Sequence, residues 1–291
     1  MTIAKIGIIG GSGLYSMDAL ENVEEHSIDT PFGKPSGHII SGTIDNIPVV
    51  FLARHGKGHR LIPSEVPYQA NIFALKKMGV RYLLSFSAVG SLSENMAPLD
   101  MVIPDQFIDL TKYRKNTFFG NGAVAHISMA NPICTQTANA FKHAVNDLNQ
   151  EDEETSITLH ESGTYVCVEG PQFSSIAESH WFRSMGAHII GMTNMPEAKL
   201  AREAQMGYAT LGMVTDFDCW HPKEEHVNAN MALMNLMKNA ERAQKISIRA
   251  VKYLHLNTPE SIAHNALSNS LVTPLDNMDE KTRKNVDQLL A

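Results

Sequence analysis

Short apolar, β-branched runs alternate with helix-length amphipathic segments through most of the chain, which predicts an α/β fold, a sheet with helices on both faces. Two further observations support it. At 291 residues, 43% of them apolar, the chain can bury a substantial core. Several apolar runs also end in glycine- or hydroxyl-rich turns, the edge at which open α/β sheets bind ligands.

Taken in order, strands are expected at 4–10 (AKIGIIG), 37–44 (GHIISGTI), 47–54 (IPVVFLAR), 80–89 (VRYLLSFSAV) and 100–109 (DMVIPDQFID). The remaining three are 164–170 (TYVCVEG), 187–193 (AHIIGMT) and 207–216 (GYATLGMVTD). Asp45 and Asn46, set between two apolar runs, signal a hairpin. After Pro63, Ser64 is placed to cap a helix in which Val66, Ala70, Phe73 and Ala74 share a face. Pro67 is tolerable in its first turn and Gly79 is its stop. Further helices are expected at 135–149, 174–185, 195–205 and from about 224 to 254.

The polar stretch NQEDEETS at 149–156 is short and reads as a surface loop, so 1–291 reads as a single domain. Its tail from Asn257 onward carries the apolar anchors Leu267, Leu271, Val272 and Leu275, then a charged terminal helix at 277–290.

The net charge is -7, from 24 basic against 31 acidic side chains, and no basic block occurs, which argues against nucleic-acid and anionic-membrane partners. Cys134, Cys167 and Cys219 lack CxxC spacing, so free thiols in a reducing cytosol are expected, with no disulfide framework and no structural zinc. No apolar run approaches the ~18 residues of a membrane span, and no signal peptide is read, so the expected location is cytoplasmic.

The stretch GIIGGSGLY fails the dinucleotide fingerprint, because counting from Gly11 puts Ser16 where the sixth-position glycine belongs. It also lacks the Gly-Lys-Ser/Thr ending of a nucleotide P-loop. Unobstructed backbone N–H groups with the Ser12 hydroxyl suit a small oxyanion. FLARHGKGH delivers Arg54 and His55 at a strand end, a planar fork for two phosphate oxygens beside a donor of adjustable charge. SFSAVGSL places Ser87 and Ala88 at a third strand end, and GMTNMPE places Thr193 at a fourth. Each alone is ordinary; together they favour an anion site.

The motifs GIIGGSGL, DTPFGKPS, ARHGKGH, SAVGSL, DQFIDLT, VEGPQFSS, GMTNMPEAKLAREA and TDFDCW, in this order, resemble the methylthioadenosine phosphorylase branch of the trimeric purine nucleoside phosphorylase family. The likeness runs from about residue 5 to 254. It implies an α/β/α domain around a mixed, partly barrel-like sheet, and a homotrimer with sites near subunit interfaces. It implies phosphorolysis of a 5'-modified purine nucleoside, with inorganic phosphate as co-substrate and neither cofactor nor metal.

Carried over position by position, the resemblance gives phosphate to Ser12, Arg54, His55, Ser87, Ala88 and Thr193. Relatives often have threonine at the positions of Ser12 and Ser87, and both keep a hydroxyl here. The base is assigned to Phe173, Ser174, Met192, Asp216 and Asp218. The two acids alternate, which on an extended strand points them to one side. Asp216 is the expected catalytic acid, since a carboxyl raised by desolvation can protonate purine N7. Relatives acting on 6-oxopurines carry asparagine at the position of Asp216 and glutamate at that of Ser174, so adenine is the expected base.

The 5' group is assigned to Val227, Met231 and Leu233, with His126 and Leu275 from a neighbouring subunit. Met234 and Met237, at helical spacing, read as core. The alternatives are a methylthioinosine or general purine nucleoside phosphorylase, a nucleoside hydrolase, and a non-catalytic nucleotide sensor.

Overall fold

A computed structural model describes residues 3–11, 13–14, 16–151, 156–222 and 229–291, without the side chains of 229–233. Its strands are β1 (Ile6–Gly10), β2 (Glu21–His26), β3 (Ile39–Ile44), β4 (Ile47–Ala53), β5 (Tyr82–Ser91), β6 (Met101–Val102), β7 (Gln106–Asp109), β8 (Leu159–His160), β9 (Thr164–Cys167), β10 (Ile189–Gly191) and β11 (Gly207–Asp216). The α-helices are α1 (Tyr68–Lys77), α2 (Thr135–Glu151), α3 (Ile176–Ser184), α4 (Asn194–Glu203), α5 (Ala229–Asn257) and α6 (Glu280–Leu290).

All eleven strands belong to one mixed sheet of order β2-β3-β4-β1-β5-β10-β9-β7, from which β11 branches beside β5 and carries β6 and β8. The branching at β5 follows from its length. Its first half is parallel to β1, its last residues Gly90 and Ser91 run antiparallel to β10, and β11 is parallel to it from Tyr82 to Gly90. The C-terminal ends of β1, β4, β5, β10 and β11 therefore gather on one side of the fork, where a ligand crevice is expected.

Side-chain alternation makes the sheet apolar on both faces. Ile8 joins the core under α2 and α5, with Phe141, Val145, Ile246 and Val251, while Ile9 joins the core under α1 and α4, with Ile72, Phe73, Leu200 and Ala201. The result is the α/β/α layering expected. The hairpin of β3 and β4 turns at Asp45 and Asn46, both in the left-handed region with φ of 48° and 63°, the conformation a two-residue type I' turn demands.

Some boundaries differ from expectation. The edge strand β2 is ENVEEH, exposed along nearly its whole length, and carries no apolar alternation by which to read it; its charges suit an edge. The expected strand 100–109 is two strands, β6 and β7, broken around Pro104, which lacks a ladder N–H. Ser64 does not cap α1: it lies in a 3-10 turn at Pro63–Glu65, its hydroxyl donates to Glu169, and Pro67 holds the cap position. Gly79 does end α1, at φ 99°. Helix α3 starts with a capping box between Ser175 and Glu178. Within 149–156, α2 runs on to Glu151, and residues 152–155 lie outside the described residues.

Candidate active site

A cavity of about 360 Å³ opens where the strand ends gather. Arg54, His55, Ser87, Ala88 and Thr193 line it, as do Phe173, Ser174, Met192, Asp216 and Asp218. These come from β4, β5, β10 and β11 and from the segment leading into α3, so the fold brings together ten of the residues singled out from sequence. Ser12 and Val227 lie outside the described residues, and so do the side chains of Met231 and Leu233.

Arg54 is 1% exposed, and its guanidinium is already largely committed. Nε and Nη2 donate to the two carboxylate oxygens of Glu197 at 2.7 and 2.9 Å, Nη2 also to Ser85 Oγ at 2.7 Å, and Nη1 to the Phe86 carbonyl at 3.0 Å. Of the five N–H groups of a guanidinium, one on Nη1 remains without a partner among the described residues. This corrects the expectation of a fork for two phosphate oxygens: the fork is closed on Glu197. A Cβ at Gly11 would lie 2.7 Å from Arg54 Nη1 and 2.6 Å from the Phe86 carbonyl oxygen. Glycine is therefore required for the first loop to lie directly on the arginine.

His55 also departs from expectation. Its Nδ1 lies 2.8 Å from the Leu61 carbonyl, which can only accept, so Nδ1 carries the proton. Burial and the neighbouring Arg54 charge lower its pKa to about 4, so at neutral pH the ring is uncharged and Nε2 is an acceptor. It can receive a P–OH proton. The hydroxyls of Ser87 and Thr193 lie 3.5 Å apart at the same end of the cavity.

At the other end, Asp216 and Asp218 share the cavity by a turn, not by strand alternation. A bulge at Thr215 shifts the β5 and β11 register between Val214 and Asp216, a device that re-aims side chains at sheet ends. Asp218 sits at φ 52°, and its N–H donates to Asp216 Oδ1 at 2.8 Å. Asp216 Oδ2 lies 2.6 Å from Thr215 Oγ1. Burial, with Asp218 adding repulsion, raises the Asp216 pKa from 3.8 to about 6 against those two hydrogen bonds. Burial raises that of Asp218 too. Ser179 and Ser174 are near enough to oppose that rise, yet Asp218 Oδ2 and Ser179 Oγ are both buried without a hydrogen-bond partner among the described residues. Asp218 thus lines the cavity as a residue, while its Oδ2 is itself out of reach of solvent.

Sequence reasoning missed Glu197, whose role depends on contact with a residue 143 positions away. It also missed His59, Ile62 and Leu236, which line the cavity. Met234 and Met237 are exposed, 66% and 68%, which corrects the expectation of core methionines: Leu236, between them on α5, is the one turned to the cavity. His126 and Leu275 do not line the cavity of their own chain. They belong to two segments that pair with each other, through an Ala125–Leu271 bridge and a His126 N–H to Ser270 carbonyl bond of 2.8 Å.

Residues 5–252 match the family model described as the phosphorylase superfamily. The chain is 55% identical over 288 residues to S-methyl-5'-thioadenosine phosphorylase from Thermosynechococcus vestitus, covering 99% of this chain and 98% of that protein. It is also 55% identical over 291 residues to the protein of the same name from Synechocystis, covering 100% and 88%. Among solved structures, a methylthioadenosine phosphorylase from an antarctic soil metagenomic library superposes with a TM-score of 0.94 at 56% identity, over 100% of both chains. The Schistosoma mansoni methylthioadenosine phosphorylase in complex with adenine superposes at 0.83 and 36% identity, over 99% and 97%.

Proposed function

The chain belongs to the phosphorylase superfamily, and from that premise we propose that it phosphorolyses S-methyl-5'-thioadenosine to adenine and S-methyl-5-thioribose 1-phosphate. The observation that carries this reading is the pairing of a buried carboxyl whose pKa is raised to about 6, Asp216, with a second carboxyl, Asp218, in the lining of the same cavity. A 6-aminopurine answers both. Its N7 takes the Asp216 proton and its exocyclic amino group donates to a carboxylate oxygen. A 6-oxo group offers no donor at that place.

In this reading phosphate occupies the opposite end, against Ser87, the Ala88 N–H, Thr193, the remaining Arg54 N–H and His55 Nε2, and Ser12 is assigned as a further hydroxyl donor to it. The C1'–N9 bond stretches first, the ribose gains oxocarbenium character that the phosphate dianion stabilises, and a phosphate oxygen then bonds to C1'. The electron pair goes to the purine, N7 receives the Asp216 proton, the phosphate ester gives up its remaining proton to solvent, and the Asp216 carboxylate is reprotonated from solvent after adenine leaves. The nucleophile is already anionic, so the site's task is placement and charge stabilisation. Phosphate is a co-substrate, and no step needs a metal or an organic cofactor.

Phe173, Ser174 and Met192 flank the base, and Leu236 together with Val227, Met231 and Leu233 shelters the 5' group. His126 and Leu275, held together but away from their own cavity, complete that shelter in a neighbouring subunit of a homotrimer working in the cytoplasm. Among the described residues no helix is long and apolar enough to cross a membrane.

The test is to incubate the protein with methylthioadenosine, methylthioinosine and adenosine, each with and without phosphate, and to identify the released base and sugar. Adenine plus methylthioribose 1-phosphate, only when phosphate is present, is the expected outcome. Base release without phosphate would replace this reading with a hydrolase.

A further inference from the structure

We propose that Arg114, which takes no part in lining the cavity, is the positioning residue that locks its walls together. Its side chain is 1% exposed and donates in three directions. Nη1 reaches the carbonyls of Met192 and Met195 at 2.6 and 2.7 Å, on either side of Thr193. Nη2 reaches the Glu169 carbonyl at 2.7 Å, on the segment that continues into Pro171 and Phe173. Nη1 also donates to Tyr68 OH at 3.1 Å, and that hydroxyl donates to the Pro63 carbonyl at 2.9 Å, on the cavity rim.

Nε completes the pattern by pairing with Glu169 Oε1 at 3.1 Å. The other oxygen of Glu169 accepts the Lys112 and Tyr113 N–H groups at 2.6 and 3.3 Å, and Ser64 Oγ donates to Oε1. One ion pair thus fixes the exits of β4, β9 and β10 relative to one another. A planar guanidinium holds five donors spread over three nitrogens and so spans acceptors on several segments; a compact ammonium has three donors on one nitrogen and cannot reach all of them.

The inference rests on the phosphorolysis reading, so its test carries its own control. Arg202 is a second mostly buried arginine that grips carbonyls, those of Ser128 at 3.4 Å, Asn131 at 2.7 Å and Pro132 at 3.3 Å, outside the cavity lining. Arg114→Lys and Arg202→Lys are compared by thermal melting and by steady-state kinetics with both substrates varied. Walls displaced by ~1 Å cost on the order of 10²-fold in rate. Arg114→Lys is therefore expected to lose about that factor in kcat/KM with raised KM for nucleoside and for phosphate, while Arg202→Lys keeps the wild-type KM for phosphate.

A merely structural role would lower the folded fraction and leave both KM values alone, so equal KM values for phosphate in the two variants would overturn the proposal. If Arg114→Lys does not fold, Glu169→Gln takes its place with the same criterion. Wild-type protein inactive on methylthioadenosine and phosphate would instead overturn the underlying reading.

Discussion

At one end of the cavity the Arg54 charge is cancelled by Glu197 through hydrogen bonds of 2.7 and 2.9 Å; at the other, Asp216 and Asp218 lie together, and the charges acting on them are those of one another and of Glu178, opposed by hydroxyls and backbone N–H groups. The anion end is satisfied before anything binds. The base end holds a charge conflict that a proton and a donor would relieve. The difference separates two tasks: holding a dianion calls for fixed dipoles and little reorganisation, whereas releasing a purine calls for a carboxyl that keeps its proton near neutral pH.

The contrast can be broken first at its base end. Asp216→Asn should lower kcat on methylthioadenosine by on the order of 10²–10⁴, measured by adenine release at saturating phosphate. At the anion end the larger effect is on stability, not chemistry. Glu197→Gln leaves the buried Arg54 charge unpaired and should cost about 3–5 kcal/mol in chemical denaturation; an unchanged midpoint would show that the pair is not what holds this end.

The two ends should also differ in the sign of their pH dependence. Asp216 titrates near 6 when folded against 3.8 unfolded, so its contribution is fully present below 3.8 and is lost as pH rises through 6. Asp216→Asn should therefore be more stable than wild type at pH 7.5, by up to about 3 kcal/mol. His55 titrates near 4 when folded against 6.5 unfolded, so its contribution is present above 6.5 and is lost as pH falls through 4. His55→Gln should flatten the fall in melting temperature across that window. Melting curves of both variants from pH 3.5 to 8 check the pair of signs together.

The smallest effect expected is at Thr215. Its hydroxyl lies 2.6 Å from Asp216 Oδ2 and 3.2 Å from the Val89 carbonyl, and its single proton can serve one of them at a time. Thr215→Val removes a bond of about 1.5–3 kcal/mol to the charged carboxylate. The Asp216 titration should move up by about 1–2 units in the pH-rate profile, and Thr215→Ser should restore it.

Much of this site was legible in the sequence because strand ends are. Arg54, Ser87, Thr193 and Asp216 each terminate an apolar run, and an open α/β sheet gathers those ends. What the side chains do there was less legible. The Arg54 fork looked available because Glu197 lies 143 residues away in sequence, and His55 looked chargeable because its bond to the Leu61 carbonyl depends on the path of the loop between them. The alternation of Asp216 and Asp218 suggested the correct neighbourhood for the wrong reason, since a bulge and a left-handed Asp218 bring them together. In the fold, β2 escaped notice because ENVEEH lies at an exposed edge, with no buried face to impose a period of two. Glu169 stood within a quoted motif and Arg114 three residues beyond another, but a side chain that works through carbonyls leaves no spacing by which to read it.

The claim that Asp216 delivers the proton is tested most directly by the pH dependence of kcat/KM for methylthioadenosine, wild type against Asp216→Asn, at saturating phosphate. The account predicts a wild-type rate that falls with one-proton slope above a midpoint near 6, and a variant that is slow and lacks this limb. An Asp216→Asn profile with the same limb and near-wild-type height would contradict it.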